Sequence, residues 1–168
     1  MLERPCLEGE RRDLIALVAW TADTAGMSKD APDHHDAHLV IKLYDLRREP
    51  VMRESRDALN AEYWPKNADE AVAVLSPDHP MNRAYRQVST YWEMVYGMAK
   101  NGIVHTDYLL ENTGEGMFLF AKVEPYLEAI RAAAHPRVFQ NAEWIAKSGD
   151  FAQVVLDRFR ERIANRGS

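Results

Sequence analysis

The sequence predicts an all-α fold, a single-domain helical bundle of about six or seven helices around a long central helix at 81–101. Three observations lead there. Apolar residues recur with a period near 3.6, and no clean period-2 run stands against them. Over 168 residues, 46% hydrophobic and 28% charged side chains describe an ordinary globular domain that needs no metal or disulfide staple. Third, Met81, Tyr85, Val88, Trp92, Val95, Ala99 and Ile103 follow one another at steps of three and four, a stripe that must face a core.

The elements can be justified in order. Residues 1–32 read as a loosely attached N-terminal helix and linker, with Leu14–Ala22 as their apolar run. Pro32-Asp33 precedes a helix carrying Leu39, Leu43 and Leu46, with Asp33 or Asp36 available to cap its first amides. Glu49-Pro50 ends that helix and starts the next, because proline suits a first helical turn. Met52, Leu59 and Tyr63 are the apolar positions of this largely charged second helix. Asn67 with Glu70 forms an asparagine-led capping box for a short helix ending near Leu75. Ser76 to Pro80 is a rigid loop before the central helix, on which Tyr91, Met94 and Met98 add a second apolar stripe.

Asn101-Gly102 supplies the left-handed residue that ends the central helix. Thr106 is expected to cap a brief helix over 107–112, and Thr113 to Gly116 to form a turn. From 117 onward Phe120, Val123, Leu127, Ile130 and Ala134 keep the helical period, with a kink or split expected at Pro125. Pro136 opens a segment with Phe139, Ala142 and Ile145, and Ser148-Gly149-Asp150 leads to a last helix through Val155, Phe159 and Ile163.

These motifs carry a resemblance. Tyr91-Trp92-Glu93, Asn101-Gly102-Ile103 with Tyr108, Ile130-Arg131 and Pro136-x-x-Phe139-x-x-x-Glu143 look like a mostly bacterial helical family, domain of unknown function 4760. Tyr44-x-x-x-Arg48-x-Pro50 and Met52-Arg53-Glu54 are similar too. Residues 80–147 are the family-like core of one domain spanning 1–168. The resemblance implies an α-helical domain and brings no reaction or catalytic residue with it. Members often begin with a membrane-spanning helix, whereas Leu14–Ala22 is too short to span.

Charge and cysteine content exclude several classes. A net charge of −5 gives no general attraction to nucleic acid or to anionic membranes. The single Cys6 permits neither an internal disulfide nor a cysteine-rich zinc site. No signal-peptide pattern is evident at the N-terminus, so a cytoplasmic location is expected, and membrane attachment through Leu14–Trp20 is disfavoured.

Candidate chemistry is sparse. His34 and His38 lie four apart on one helix face, with Asp33 as a neighbouring oxygen donor, and are the candidate metal ligands. No third ligand follows from spacing, and capping by the aspartates is the stronger expectation. The Glu-x-x-His of di-iron bundles is missing, as are His-Glu-x-x-His and Gly-x-Ser-x-Gly; Gly114 and Gly116 lack the context of a phosphate loop. Arg83 and Arg86, near His79, read as solvated arginines around a buried Tyr85, and Arg158, Arg160, Arg162 and Arg166 as a dipole-complementing helix end. Glu93, Arg131 and Glu143 fall beside apolar stripes and are expected to form buried charge pairs.

The functional expectation is therefore a non-enzymatic interaction or structural domain, a homodimer or a binder of a protein partner. It has no assigned catalytic residue and no cofactor, with neither nucleic acid nor membrane as partner. Met94, Met98, Met117 and the aromatics would suit adaptable contacts. The alternative is a metal- or anion-assisted enzyme using His34–His38 or Glu93, Arg131 and Glu143.

Overall fold

The computed structural model describes residues 29–166; the expectations about Cys6, Leu14–Ala22 and the N-terminal helix lie outside them. Within the described residues there are nine α-helices and one short 3-10 turn, and no strand. They are α1 (His34–Arg47), α2 (Pro50–Glu62), α3 (Ala68–Ala73), α4 (Asn82–Lys100) and α5 (Thr106–Asn112). After these come α6 (Glu115–Val123), a 3-10 turn (Glu124–Tyr126), α7 (Leu127–Ala133), α8 (Gln140–Ala146) and α9 (Asp150–Arg166). The protein is all-α, with more and shorter helices than periodicity alone suggests. Pro125 makes the difference in the C-terminal half, because its missing N–H and its ring turn one long pattern into α6, the 3-10 turn and α7.

Helix starts follow their capping chemistry. Asp33 accepts from the His35 and Asp36 amides at 2.8 and 3.3 Å, while Asp36 accepts from the Asp33 amide at 2.7 Å. This is a capping box with an aspartate in the third position. Asp36 is fully buried, because it also accepts from the His105 amide at 3.1 Å and pairs with Lys29 at 2.9 Å. It thereby stitches the start of α1 to the loop before α5. Pro50 opens α2, and Asn67 caps α3 through the Glu70 amide at 2.9 Å. At α5 the cap is His105, whose Nδ1 accepts from the Tyr108 amide at 3.2 Å. The expected cap, Thr106, is instead the buried first residue of the helix.

Central α4 packs against α2 on one side and α8 on another, with α6 and α5 closing around it. Tyr85, Val88, Trp92, Val95 and Ala99 are all buried, as the stripe requires, and Tyr96 is buried beside them. Ile103 leaves the stripe and is 54% exposed, because Gly102 takes φ 67° and turns the chain out of the helical path. Leu46 likewise points to solvent, the buried line of α1 being Asp36, Val40 and Leu43.

Helix α6 is buried from Gly116 to Val123 and lies against both α4 and α9. Gly116 belongs to its first turn, where a β-carbon would collide with Tyr96 and Trp92. The glycine serves close helix approach, so the turn expected over Thr113–Gly116 ends sooner. Met117 is fully buried in the same helix, which removes it from the methionines expected at the surface. Met94 is exposed and Met98 half-buried.

Candidate functional site

The residues nominated from sequence fall into two places. His34 and His38 stand exposed on α1, their rings 6.4 Å apart edge to face, and His34 stacks on His35 at 4.2 Å. Asp33 is engaged in the cap and in a 2.9 Å pair with Lys29, which holds its carboxyl down at about 2. Among the described residues no group of three or more His, Cys, Asp or Glu side chains gathers into a metal-binding cluster.

Glu93, Arg131 and Glu143 do come together, at the seam of α4, α7 and α8. Arg131 Nη2 meets Glu143 Oε2 at 2.7 Å, its Nε donates to the Val138 carbonyl at 3.0 Å, and Lys147 holds the other Glu143 oxygen at 2.6 Å. Glu93 takes its direct hydrogen bonds elsewhere: it accepts from the Asn141 and Ala142 amides at 3.1 and 2.8 Å. It therefore caps α8 from a neighbouring helix. Burial pushes its carboxyl up, partly offset by those two amides. The amides reach Glu93 because Phe139 adopts a left-handed φ of 55° just before α8. That unfavourable backbone is held by burial of the Phe139 ring against Tyr85 and Phe120. Each charged group of this seam has a partner of opposite sign or a hydrogen-bonding backbone group.

The arginines considered at helix ends also separate. Arg83 and Arg86 are exposed, and the neighbouring Tyr85 is buried. On α9, Arg160 grips Glu124 and Asp157, whereas Arg162 and Arg166 lean over aromatic rings.

Those two rings lead to a site the sequence reading did not nominate. Lys122 on α6 is 4% exposed, and its Nζ donates to the Leu59 carbonyl near the end of α2 at 3.0 Å. The same Nζ lies 4.0 Å from the centre of the Trp64 ring and 4.7 Å from that of Phe118. Arg166 sits 3.9 Å from the Trp64 ring and Arg162 4.9 Å from Phe118, so each arginine shares a ring with Lys122. Among the described residues no carboxylate is paired with Lys122. Burial, and then the positive charges of Arg166 and Arg162, push its ammonium down to about 7.

Lys122 forms part of the wall of an open cleft of about 330 Å³, with Trp64, Pro65, Lys66, Ile163 and Arg166. A shallower hollow continues past Trp64 and Arg166 to Arg158, Glu161 and Arg162. On the other flank Glu115 is already taken by Arg56 at 2.7 Å and by Arg47 at 3.3 Å. Chemically, the cleft offers an aromatic wall, a lysine poised near neutrality and a rim of arginines. One clue to it was visible in the sequence: Lys122 is the sole charge in the run from Met117 to Val123, with no polar face to occupy. Trp64 and Arg166 carry no such clue, since only folding brings α9 beside the end of α2.

Residues 32–148 match the family described as Domain of unknown function (DUF4760). The chain belongs to this family. The matched DUF4760 segment holds Trp64, Lys122 and the whole Glu93 seam, while all of α9, with Arg162 and Arg166, lies beyond it. No curated protein and no solved structure matches the chain. No described helix is long and apolar enough to cross a membrane.

Proposed function

We propose that this DUF4760 protein is a non-enzymatic binding domain that takes a small anionic molecule into the Trp64–Lys122–Arg166 cleft. The observation that carries the reading is the buried, carboxylate-free ammonium of Lys122 beside two arginines at an open cleft. Burying a cation without a counter-charge is costly, and a carboxylate or phosphate in the cleft would supply that charge. An arginine suits such a ligand through its forked donors, and the Trp64 face suits an apolar or aromatic body attached to it. An overall charge of −5 makes this local excess of cations stand out against its background.

Binding should draw a proton onto Lys122, so affinity should strengthen as pH falls through about 7. Calorimetric titration with inorganic phosphate and with benzoate tests this. Heat that is lost in Lys122→Met and weakened in Arg166→Gln is expected; binding that is absent, or indifferent to Lys122→Met, overturns the reading.

A second reading is the homo-oligomeric interaction role expected from sequence, favoured by one specific feature. Ile41, Tyr44, Leu46 and Val51 are each more than 40% exposed around the α1–α2 corner. A homodimer or a protein partner would cover them. Light scattering coupled to size exclusion, on the native chain and on Ile41→Glu, checks the homodimer, and a strict monomer at high concentration sinks it. The absence of nucleic-acid partners completes the proposal, supported by the acidic net charge.

A further inference from the structure

Lys122 differs from ordinary surface lysines in three respects that together define a chemistry. Its nitrogen is nearly sealed from bulk water, its neighbours are cations and aromatic rings, and one side of its wall opens to a cleft. A lysine so placed loses its proton more readily than one in water, and the free amine is a nucleophile. The product it best tolerates is set by the charges around it. From α9 it is faced by Arg162 and Arg166, with Arg158 and Glu161 farther along the same rim; from the loop after α2, by Lys66. On the flank of α2 and α6 stand Arg56 and Glu115, which neutralise each other. The immediate field at Nζ is therefore positive.

We propose that Lys122 Nζ adds carbon dioxide reversibly, forming a carbamate whose carboxylate is stabilised by Arg162 and Arg166. The nitrogen lone pair forms a bond to the carbon of CO2, and one carbon–oxygen π pair moves onto oxygen. The nitrogen then releases one proton to water, leaving N-linked carboxylate with no change of oxidation state. One hydrogen stays on nitrogen and can go on donating to the Leu59 carbonyl, so the existing bond survives the reaction. The reverse step, protonation of nitrogen and expulsion of CO2, is disfavoured where bulk water and carboxylic acids are kept away. Carbonyl compounds are the weaker fit, because an iminium would restore a cation among the arginines, whereas a carbamate turns the centre into an anion. CO2 is also small enough to reach the amine of a residue that is only 4% exposed.

This inference rests on reading the cleft as an anion site, but its pH dependence has the opposite sign. Carbamate formation releases a proton and should increase with pH at fixed CO2, whereas binding of a ready-made anion should weaken. The test uses the full chain in carbon-13-labelled bicarbonate buffer, observed by NMR. Trapping with trimethyloxonium and peptide mass mapping then locates the group. A labelled carbamate on the Lys122 peptide is expected, absent from Lys122→Met and reduced roughly fivefold in the Arg162→Gln/Arg166→Gln double variant. Both arginines are exposed, so that variant should fold. A label missing from Lys122, or one indifferent to the two arginines, overturns the proposal. Phosphate calorimetry in CO2-free buffer keeps the two readings apart: phosphate binding without a carbamate overturns only the carbamate, and a carbamate without phosphate binding overturns only the ready-made ligand.

Discussion

The Glu93 seam and the Lys122 cleft begin from the same raw material. Each places one ionisable side chain on the apolar side of a central helix, Glu93 on α4 and Lys122 on α6. In the seam, folding brings two backbone amides to the carboxylate and pairs the adjacent Arg131 with Glu143. In the cleft, folding brings a carbonyl, two rings and two further cations. The difference teaches that burial alone does not mark a site. A buried charge with its partners in place holds helices together, and one left without a counter-charge is poised for a ligand or for reaction.

The comparison breaks most severely at Glu93. Glu93→Ala leaves the Asn141 and Ala142 amides without their acceptor and releases the start of α8, so a loss of about 3 kcal/mol is expected in denaturant unfolding. If Glu93 were merely a solvated residue, the loss would be within about 0.5 kcal/mol.

At Lys122 the sign should reverse. Lys122→Met removes an unmatched cation from an apolar site, and the Leu59 carbonyl keeps its bond from the Tyr63 amide, so a gain of about 2 kcal/mol at neutral pH is expected. The pH dependence follows from the lowered ammonium. Between about 7 and its ordinary 10.5, Lys122 binds a proton in the unfolded chain and not in the folded one. Stability should therefore rise with pH across that window in the native protein, and the Lys122 contribution to the rise should vanish in Lys122→Met. Melts across the window report both effects, and parallel profiles would remove the case for a perturbed lysine.

Asp36 gives a smaller, acid-side counterpart. Burial acts to raise its carboxyl, but Lys29 and the amides of Asp33 and His105 outweigh it and hold it below the usual range. Its contribution is thus present above the ordinary 3.8 and lost as pH falls through its lowered folded value. Asp36→Asn should cost about 1–2 kcal/mol near neutrality and flatten the acid limb of the stability curve. The smallest effect belongs to the Arg131–Glu143 pair, both members partly open to solvent. Arg131→Gln should cost about 0.5–1 kcal/mol, a loss that shrinks in high salt.

Much of the scaffold was legible because it depends on neighbours in the chain. Asp33, Pro50 and Asn67 act on amides or turns within a few residues, so their roles follow from spacing. The periodic stripe of α4 and the break at Pro125 are equally local. Misreadings arose where two local chemistries competed. Either His105 or Thr106 can cap α5, and packing decides by burying the threonine. Gly116 resembles a turn residue until Trp92 and Tyr96 stand where its side chain would go. At the seam, the sequence could suggest charge pairing among Glu93, Arg131 and Glu143, but not that Glu93 would be spent on the α8 amides.

The sequence by itself determined an all-α chain, the positions of most helix starts and a place in a helical family, because capping and periodicity operate over one or two turns. Tertiary structure alone decided which buried charge is matched. Lys122, Trp64 and Arg166 are ordinary residues on three separate segments, and their electrostatics come into being only when folding brings α9 beside the end of α2 and withdraws Lys122 from water.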